Sequence, residues 1–201
     1  MRVRGHVPKL PFRDTDHALR HARAYLEGRA MGIRLVEPVD LQREAWLERE
    51  MPSRRTGTSV DVPCIETIYR WKISSTRGND AVPDSVRTQQ FGRSLGCIAV
   101  AQGRTAIEAL VPDLLVPWIS IVAASAFLYW LRPQELTILD RKASTALNLP
   151  SSSDEDYSVA DYLDYCEACV EFSRQLGISL RDLDRALFVY VTLLLRGKVL
   201  A

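Results

Sequence analysis

The segment LVPWISIVAASAFLYWLRPQELTILDRKASTALNL, from Leu115 to Leu149, decides the fold of this chain. It predicts an apolar helix over Ile121–Leu131 that begins after the turn at Pro117-Trp118. A helix that is apolar on every side is normally buried, so this helix is expected at the centre of the protein. Asp140 is expected to start a second helix that runs to about Asn148, because aspartate is a favoured N-cap.

Positions 114–131 are uncharged over 18 residues, a length that is typical of a membrane span. Pro117 interrupts this stretch near its start and leaves a helix too short to span, so no membrane segment is predicted. A chain of 201 residues with 47% hydrophobic and 25% charged residues is typical of one globular domain with a sizeable core. We expect a single domain over 1–201, in which an N-terminal helical arm (1–60) packs on a helical core (63–201).

Helix-start signals recur along the chain, and no strand alternation is longer than a few residues. They predict an all-α protein, a single compact helical domain of about eight helices. The other predicted helices cover Thr15 to about Ala30 (capped by Asp14 and ended by Gly32), Leu41–Glu50 (capped by Asp40), Pro63–Ile73, Ser85–Gln102, Thr105–Leu110, a helix after Ser158 to Leu176, and Leu180–Arg196. Polar, turn-rich loops are predicted over 51–62, 74–84 and 150–157.

Charge is distributed unevenly although the net charge is only +1. Residues 1–60 hold 12 Lys/Arg and 8 Asp/Glu, a balance of +4, whereas residues 151–201 hold 5 and 9, a balance of −4. Seven acids and no Lys or Arg lie between Asp154 and Glu171, a pattern that is typical of a solvated helix face. Such a face repels phosphates, so any DNA is expected to bind a basic face on the other side.

The cysteines and histidines have metal-ligand spacings but predict no metal site. Cys166 and Cys169 share a predicted helix face with apolar residues, which favours buried reduced thiols. His17 and His21 stand four residues apart without a third ligand nearby, which favours a surface pair. The N-terminus lacks the apolar segment of a signal peptide, so a cytoplasmic protein is expected, and neither a metal nor another cofactor is predicted.

Three motifs carry a resemblance: AlaSerAla-x-Leu at 124–128, IleLeuAsp at 138–140 and LeuAspArgAlaLeu at 183–187. They resemble a family of uncharacterised bacterial proteins that carry ASA-x-L, ILD-x-R and LDRAL at similar separations. The order of helix, tight turn, apolar helix, loop and helix-starting acid also resembles the helix-hairpin-helix DNA glycosylase superfamily. The resemblance covers roughly Ile65 to Tyr190.

The resemblance implies a DNA glycosylase-like protein that releases a damaged or modified base. It makes Asp140 the catalytic acid, because a carboxylate beside the sugar stabilises the positive charge that develops there. Residues 123–127, where bifunctional members carry a lysine nucleophile, hold none, so a monofunctional mechanism is expected. The residues expected to bind substrate are Lys72, Trp118, Ser120, Arg141 and Lys142.

Purely structural interpretations of the same residues stay open at this point. Asp140 can be a helix cap alone, and the Lys72 stem can lie over the core with its amine in water. Asp184 shares a helix face with apolar residues, so a structural ion pair or a cap on another helix is predicted for it. The alternative function is a catalytically inactive helical module that binds nucleic acid or a protein partner.

Overall fold

The computed structural model describes residues 3–54, 59–73, 81–149, 157–198 and 200, and helices dominate these segments. The nine α-helices found there are α1 (Thr15–Leu26), α2 (Pro38–Arg54), α3 (Val62–Ile68), α4 (Gln89–Val100), α5 (Gly103–Leu110), α6 (Ile121–Leu131), α7 (Arg141–Ala146), α8 (Val159–Leu176) and α9 (Leu180–Leu194). The all-α prediction is therefore confirmed. Most of the loops predicted over 74–84 and 150–157, and Arg55 with its neighbours, lie outside the described residues.

Helix α6 lies at the centre of the protein and has the bounds predicted for it. Ser120 caps its N-terminus by accepting a hydrogen bond from the backbone N–H of Ala123. All but one of its residues are buried, and Phe127 and Trp130 are fully inaccessible. Burial of side chains of this size contributes about 1.5–3 kcal/mol each, so α6 adds substantially to core stability.

One hydrophobic cluster joins the first 60 residues to the rest of the chain. It contains Val3 and Phe12 from the N-terminal segment together with Phe127 of α6 and Leu187 of α9. Helix α9 packs against both α1 and α7, so it lies between the N-terminal helix and the helix that Asp140 caps.

The end of α1 differs from the prediction. The helix stops at Leu26 rather than near Ala30, because Gly28 adopts a left-handed conformation (φ +68°) before Gly32 is reached. The chain then forms a two-stranded antiparallel hairpin of β1 (Arg29–Ala30) and β2 (Ile33–Arg34). Met31 and Gly32 connect the strands with φ values of +50° and +78°, the signs that a tight hairpin turn requires.

Helix α2 also differs from the prediction at both ends. It begins at Pro38, so Asp40 lies in its first turn and is not the cap. It continues to Arg54 through part of the predicted loop at 51–62. Met51 is fully buried in the core, and its burial favours continuation of the helix.

The prediction that His17 and His21 form a surface pair is wrong. Their exposed fractions are 5% and 1%, and both rings pack against Phe12. His21 Nδ1 lies 2.8 Å from the carbonyl oxygen of His17, and His17 Nε2 lies 3.2 Å from that of Leu200. The two rings therefore serve packing between α1 and the C-terminal segment.

The caps predicted for α8 and α9 are confirmed. Ser158 and Asp161 form a reciprocal capping box, Gly177 ends α8 in the left-handed conformation, and Ser179 caps α9. The acidic face of α8 is not wholly solvated, because Arg104 of α5 pairs with Asp164 and Glu167. Among the described helices, none has the length and apolarity that crossing a membrane requires.

Candidate functional site

Asp140 caps α7 and pairs with a lysine from a distant part of the chain. Its Oδ1 accepts a hydrogen bond from the backbone N–H of Ala143 at 2.7 Å, which is the N-cap geometry expected from the sequence. Its Oδ2 accepts a hydrogen bond from Lys72 Nζ at 2.9 Å. The side chains of Asp140 and Lys72 keep 19% and 24% of their surface exposed, so the pair is reachable from solvent.

Three side-chain hydrogen bonds fix the segment that leads into Asp140. Ser125 of the central helix accepts the backbone N–H of Leu139 at 3.0 Å. The hydroxyls of Tyr162 and Tyr165 on α8 donate to the carbonyl oxygens of the two preceding residues, both at 3.1 Å. All three bonds are buried, so the serine of the ASA-x-L motif and the ILD motif belong to one structural unit.

Lys72 lies in a π-helical turn, Tyr69–Ile73, that extends α3. Single π turns are frequent at functional sites because they displace a side chain from the regular helical position. The neighbouring Trp71 is buried and stacks on Tyr129 with a centroid separation of 6.2 Å. Lys72 Nζ lies 5.4 Å from the ring centroid of Phe188 on α9, so the amine stands between three structural elements.

The electrostatics of the pair keep both groups charged. Burial alone raises the pKa of Asp140, but the Lys72 ammonium and the Ala143 N–H outweigh it and hold that pKa below its usual value. Burial alone lowers the pKa of Lys72, but the negative charges of Asp140 and Asp184 outweigh it and raise that pKa. Lys72 is therefore an ammonium at neutral pH and is unsuited to act as an amine nucleophile.

Asp184 is a second acid beside this pair, and its predicted structural role is not observed. Its side chain forms no hydrogen bond or ion pair with any residue that the structure describes. Burial and the repulsion of Asp140 and Glu44 outweigh the attraction of Lys72 and raise the pKa of Asp184 to about 7. The site thus contains one carboxylate that stays ionised and one that exchanges a proton near neutral pH.

Arg141 and Lys142 add positive charge on the first turn of α7. Lys142 Nζ lies 3.7 Å from the ring centroid of Phe188, the same ring that Lys72 approaches. Burial lowers the pKa of Lys142, and the charges of Lys72 and Arg141 lower it further against the attraction of Asp140. Arg141 is exposed. Three of the predicted site residues, Lys72, Asp140 and Lys142, therefore lie close together. We call these residues, together with Asp184, the Asp140 site.

Trp118 and Ser120 lie on the turn between α5 and α6, apart from this cluster. No hydrogen bond, ion pair or ring contact joins them to the Asp140 site within the described segments. Trp118 is 72% exposed and has a φ of +74°, which is rare for a bulky residue. Ser120 is occupied as the cap of α6.

A buried charge network next to the site was missed from the sequence. Glu44 of α2 is 3% exposed and accepts hydrogen bonds from Tyr25, Arg181 and Arg185. Burial alone raises the pKa of Glu44, but the two arginines outweigh it and lower that pKa. Nothing in the sequence linked Arg185 on α9 to Glu44, which lies 141 positions earlier.

Burial disfavours the reactive thiolate form of the two cysteines of α8. Burial raises the pKa of Cys166 to about 12 and raises that of Cys169 well above its ordinary value. No group of three or more potential ligands suited to a metal ion occurs among the described residues. Comparison with protein-family models, with curated proteins and with solved structures finds no match for this chain.

Proposed function

We propose that this protein is a DNA glycosylase-like enzyme that releases a damaged or modified base through Asp140. The single observation that carries the proposal is the solvent-reachable carboxylate of Asp140, which Lys72 and a helix N-terminus hold ionised and fixed in position. A carboxylate of this kind is what stabilisation of a cationic sugar requires. DNA is the proposed partner, and the proposed place of action is the cytoplasm.

In this mechanism the base departs as positive charge develops at the sugar. Asp140 stabilises that charge and orients a water molecule for attack on the sugar. Lys72 partly neutralises the carboxylate, but it also keeps Asp140 ionised by lowering its pKa. Because Lys72 is protonated and α6 carries no lysine, the proposed reaction stops at base release without a covalent Schiff-base step.

Asp184 supplies the complementary acid in this proposal. A departing base accepts a proton as its bond to the sugar breaks, and a carboxyl group with a pKa of about 7 is half protonated at neutral pH. Asp184 then regains a proton from the attacking water. The division of roles follows from the environments, because Lys72 directly pairs with Asp140 and not with Asp184.

The proposed DNA contacts come from the turn before α6 and from the start of α7. The backbone at Trp118 is left-handed, the conformation that glycine favours. The exposed indole is suited to stacking on a base, and Arg141 is suited to a phosphate. The acidic face of α8 repels phosphates, so the proposal requires DNA to bind away from it.

A second candidate function is a catalytically inactive module that binds nucleic acid or a protein partner. The observation that favours it is that both oxygens of Asp140 already have protein partners, Ala143 N–H and Lys72 Nζ. A purely structural link between α3 and α7 would also explain this arrangement of the carboxylate. The two candidates differ in whether the charge of Asp140 is needed for chemistry.

The test is base release from DNA duplexes that carry a panel of damaged and modified bases. Asp140→Asn keeps the shape of the cap and removes the charge, so base release is expected to fall by at least about 100-fold, the size typical of lost electrostatic stabilisation at a reacting centre. Asp14→Asn is the matched control, because Asp14 caps α1 with the same 2.7 Å bond to a backbone N–H. It should leave the rate unchanged.

The outcomes separate the two candidates. Equal rates for wild type and Asp140→Asn would remove Asp140 from the mechanism. Absence of base release by the wild type on the whole panel, together with DNA binding that Asp140→Asn preserves, would favour the inactive module. Borohydride trapping of a protein–DNA adduct would contradict the monofunctional mechanism, since only a Schiff base is trapped in this way.

A further inference from the structure

A basic cleft lies between the C-terminal half of α1 and the β1–β2 hairpin. It has a volume of about 330 Å³, and Arg20, Arg23 and Arg29 line it together with Glu27. Ala24, Ala30, Met31 and Leu200 supply its apolar lining. None of these residues belongs to the Asp140 site, so the cleft is a separate feature of the surface.

Two rigid elements hold the three arginines around the cleft. Arg20, Arg23 and Glu27 follow one another at spacings of three and four, which places them on one face of α1. Arg29 is on β1, directly opposite Arg34 in the antiparallel pairing. The left-handed Gly28 between the helix and the strand turns the chain so that both elements face the cleft.

The cleft arginines differ from most of the described arginines in forming no ion pair within the described residues. None of the three makes an ion pair with a residue in the described part of the chain. Arg34, Arg43, Arg104 and Arg185, in contrast, each pair with an acid. Three guanidinium groups and one carboxylate leave the lining of the cleft with a formal charge of 3 − 1 = +2.

We propose that this cleft binds a phosphate ester. Guanidinium groups present paired N–H donors that match phosphate oxygens, and three of them around one concave surface exceed what the single Glu27 neutralises. The volume is at the lower end of the range for small-molecule sites and is larger than a phosphate ion needs. The apolar lining, including the exposed Met31, accommodates the organic part of the ester.

Two sources present this group: the backbone of a nucleic acid and a free nucleotide. The first source extends the proposed function, whereas the second is independent of it. Binding is measured directly and requires no base release. Failure of the phosphate-binding proposal can therefore be distinguished from failure of the glycosylase proposal.

The experiment uses the full chain, with titration of inorganic phosphate, deoxyadenosine monophosphate and a 12-base-pair duplex at constant ionic strength. The side-chain Nε–H signals of arginine report binding by nuclear magnetic resonance. We expect saturable shifts at Arg20, Arg23 and Arg29 with phosphate. Each single Arg→Gln change at these positions should weaken phosphate binding about tenfold, the effect of losing a charge-assisted contact.

Arg34→Gln is the matched control, because it removes the same charge from the opposite strand of the same hairpin. It should change the affinity less than about twofold. Equal weakening by Arg34→Gln and by the cleft variants would overturn the proposal, since it would show only general surface charge. Absence of saturable shifts at the three arginines would overturn it as well.

The other two ligands identify the source of the ester. If the duplex is the natural ligand, each cleft variant should weaken duplex binding and reduce its salt dependence by about one phosphate contact. If a nucleotide is the natural ligand, deoxyadenosine monophosphate should bind more tightly than phosphate, and the duplex affinity should be insensitive to the variants. The three side chains are exposed and form no ion pairs with described residues, so the variants should have the same melting temperature as the wild type.

Discussion

The replacement Asp184→Asn should abolish a pH dependence of stability that the folded structure imposes. In the folded protein the pKa of Asp184 is raised to about 7, because burial and the nearby Asp140 and Glu44 carboxylates outweigh the attraction of Lys72 and Arg185. In an unfolded chain the pKa of an aspartate is about 3.9. Between these values the folded state binds a proton that the unfolded state has released, so stability falls as the pH rises from about 4 to about 7.

The size of the effect follows from the two pKa values. A difference of about 3 pH units corresponds to about 4 kcal/mol at about 1.36 kcal/mol per unit. Asp184 is half-buried and keeps some contact with water, so we expect about 2–4 kcal/mol. Asparagine is neutral at every pH. The variant should therefore match the wild type near pH 4 and be more stable by about 2–4 kcal/mol at pH 8.

The assay is urea denaturation of both proteins at half-unit steps from pH 4 to pH 8, with direct titration of the Asp184 carboxyl by carbon nuclear magnetic resonance. Asp113→Asn is the control, because Asp113 is exposed on the short turn after α5. Its free energy of unfolding should differ from that of the wild type by a constant amount across the range. Curves for Asp184→Asn and wild type that stay parallel within about 0.5 kcal/mol would refute the electrostatic reasoning for this site.

Three further substitutions test the packing around the site, each by the free energy of unfolding in urea. Glu44→Gln should cost about 3–5 kcal/mol, because it leaves two partly or wholly buried guanidinium groups without their buried counter-ion. Glu48 pairs with the same arginines but is 47% exposed, so Glu48→Gln should cost less than about 1 kcal/mol. Equal costs would contradict the role of burial. Ser125→Ala should cost about 1–3 kcal/mol by removing the acceptor of the buried Leu139 N–H. The hydroxyl of Ser173 donates only within its own helix, so Ser173→Ala should cost less than about 1 kcal/mol. A smaller loss for Ser125→Ala than for Ser173→Ala would show that the bond to Leu139 is dispensable. Trp118→Gly should stabilise the protein by about 0.5–1 kcal/mol by relieving the left-handed backbone, and Trp118→Ala should give no such gain, so equal effects would exclude strain as the cause.

Local signals predicted the helices best where one residue determines an end. The apolar run predicted the bounds of α6, and the capping patterns at Ser158 and Ser179 predicted the starts of α8 and α9. Prediction failed where neighbouring signals compete. Gly28 ends α1 before Gly32, and burial of Met51 extends α2 through a polar segment.

The sequence predicted part of the Asp140 site. The cap at Asp140 and the positive charge of Lys142 are both local to the start of α7. The pairing of Asp140 with Lys72 joins residues 68 positions apart and depends on how α3 packs against α6. The environment of Asp184 was likewise not predictable, since its pKa depends on Lys72, Asp140 and Glu44, which come from three other elements of the fold. The catalytic and substrate-binding roles of all these residues stay predictions.

The three buried hydrogen bonds that hold residues 137–139 have a consequence for motion. Because their partners, Ser125, Tyr162 and Tyr165, lie on two core helices, release of this segment requires separation of those helices. The backbone N–H of Leu139 should therefore exchange with deuterium only through global unfolding, unlike the frayed positions of a surface loop. The backbone that carries Asp140 should therefore stay in place until the protein unfolds, so a ligand at the Asp140 site meets a carboxylate that is already positioned.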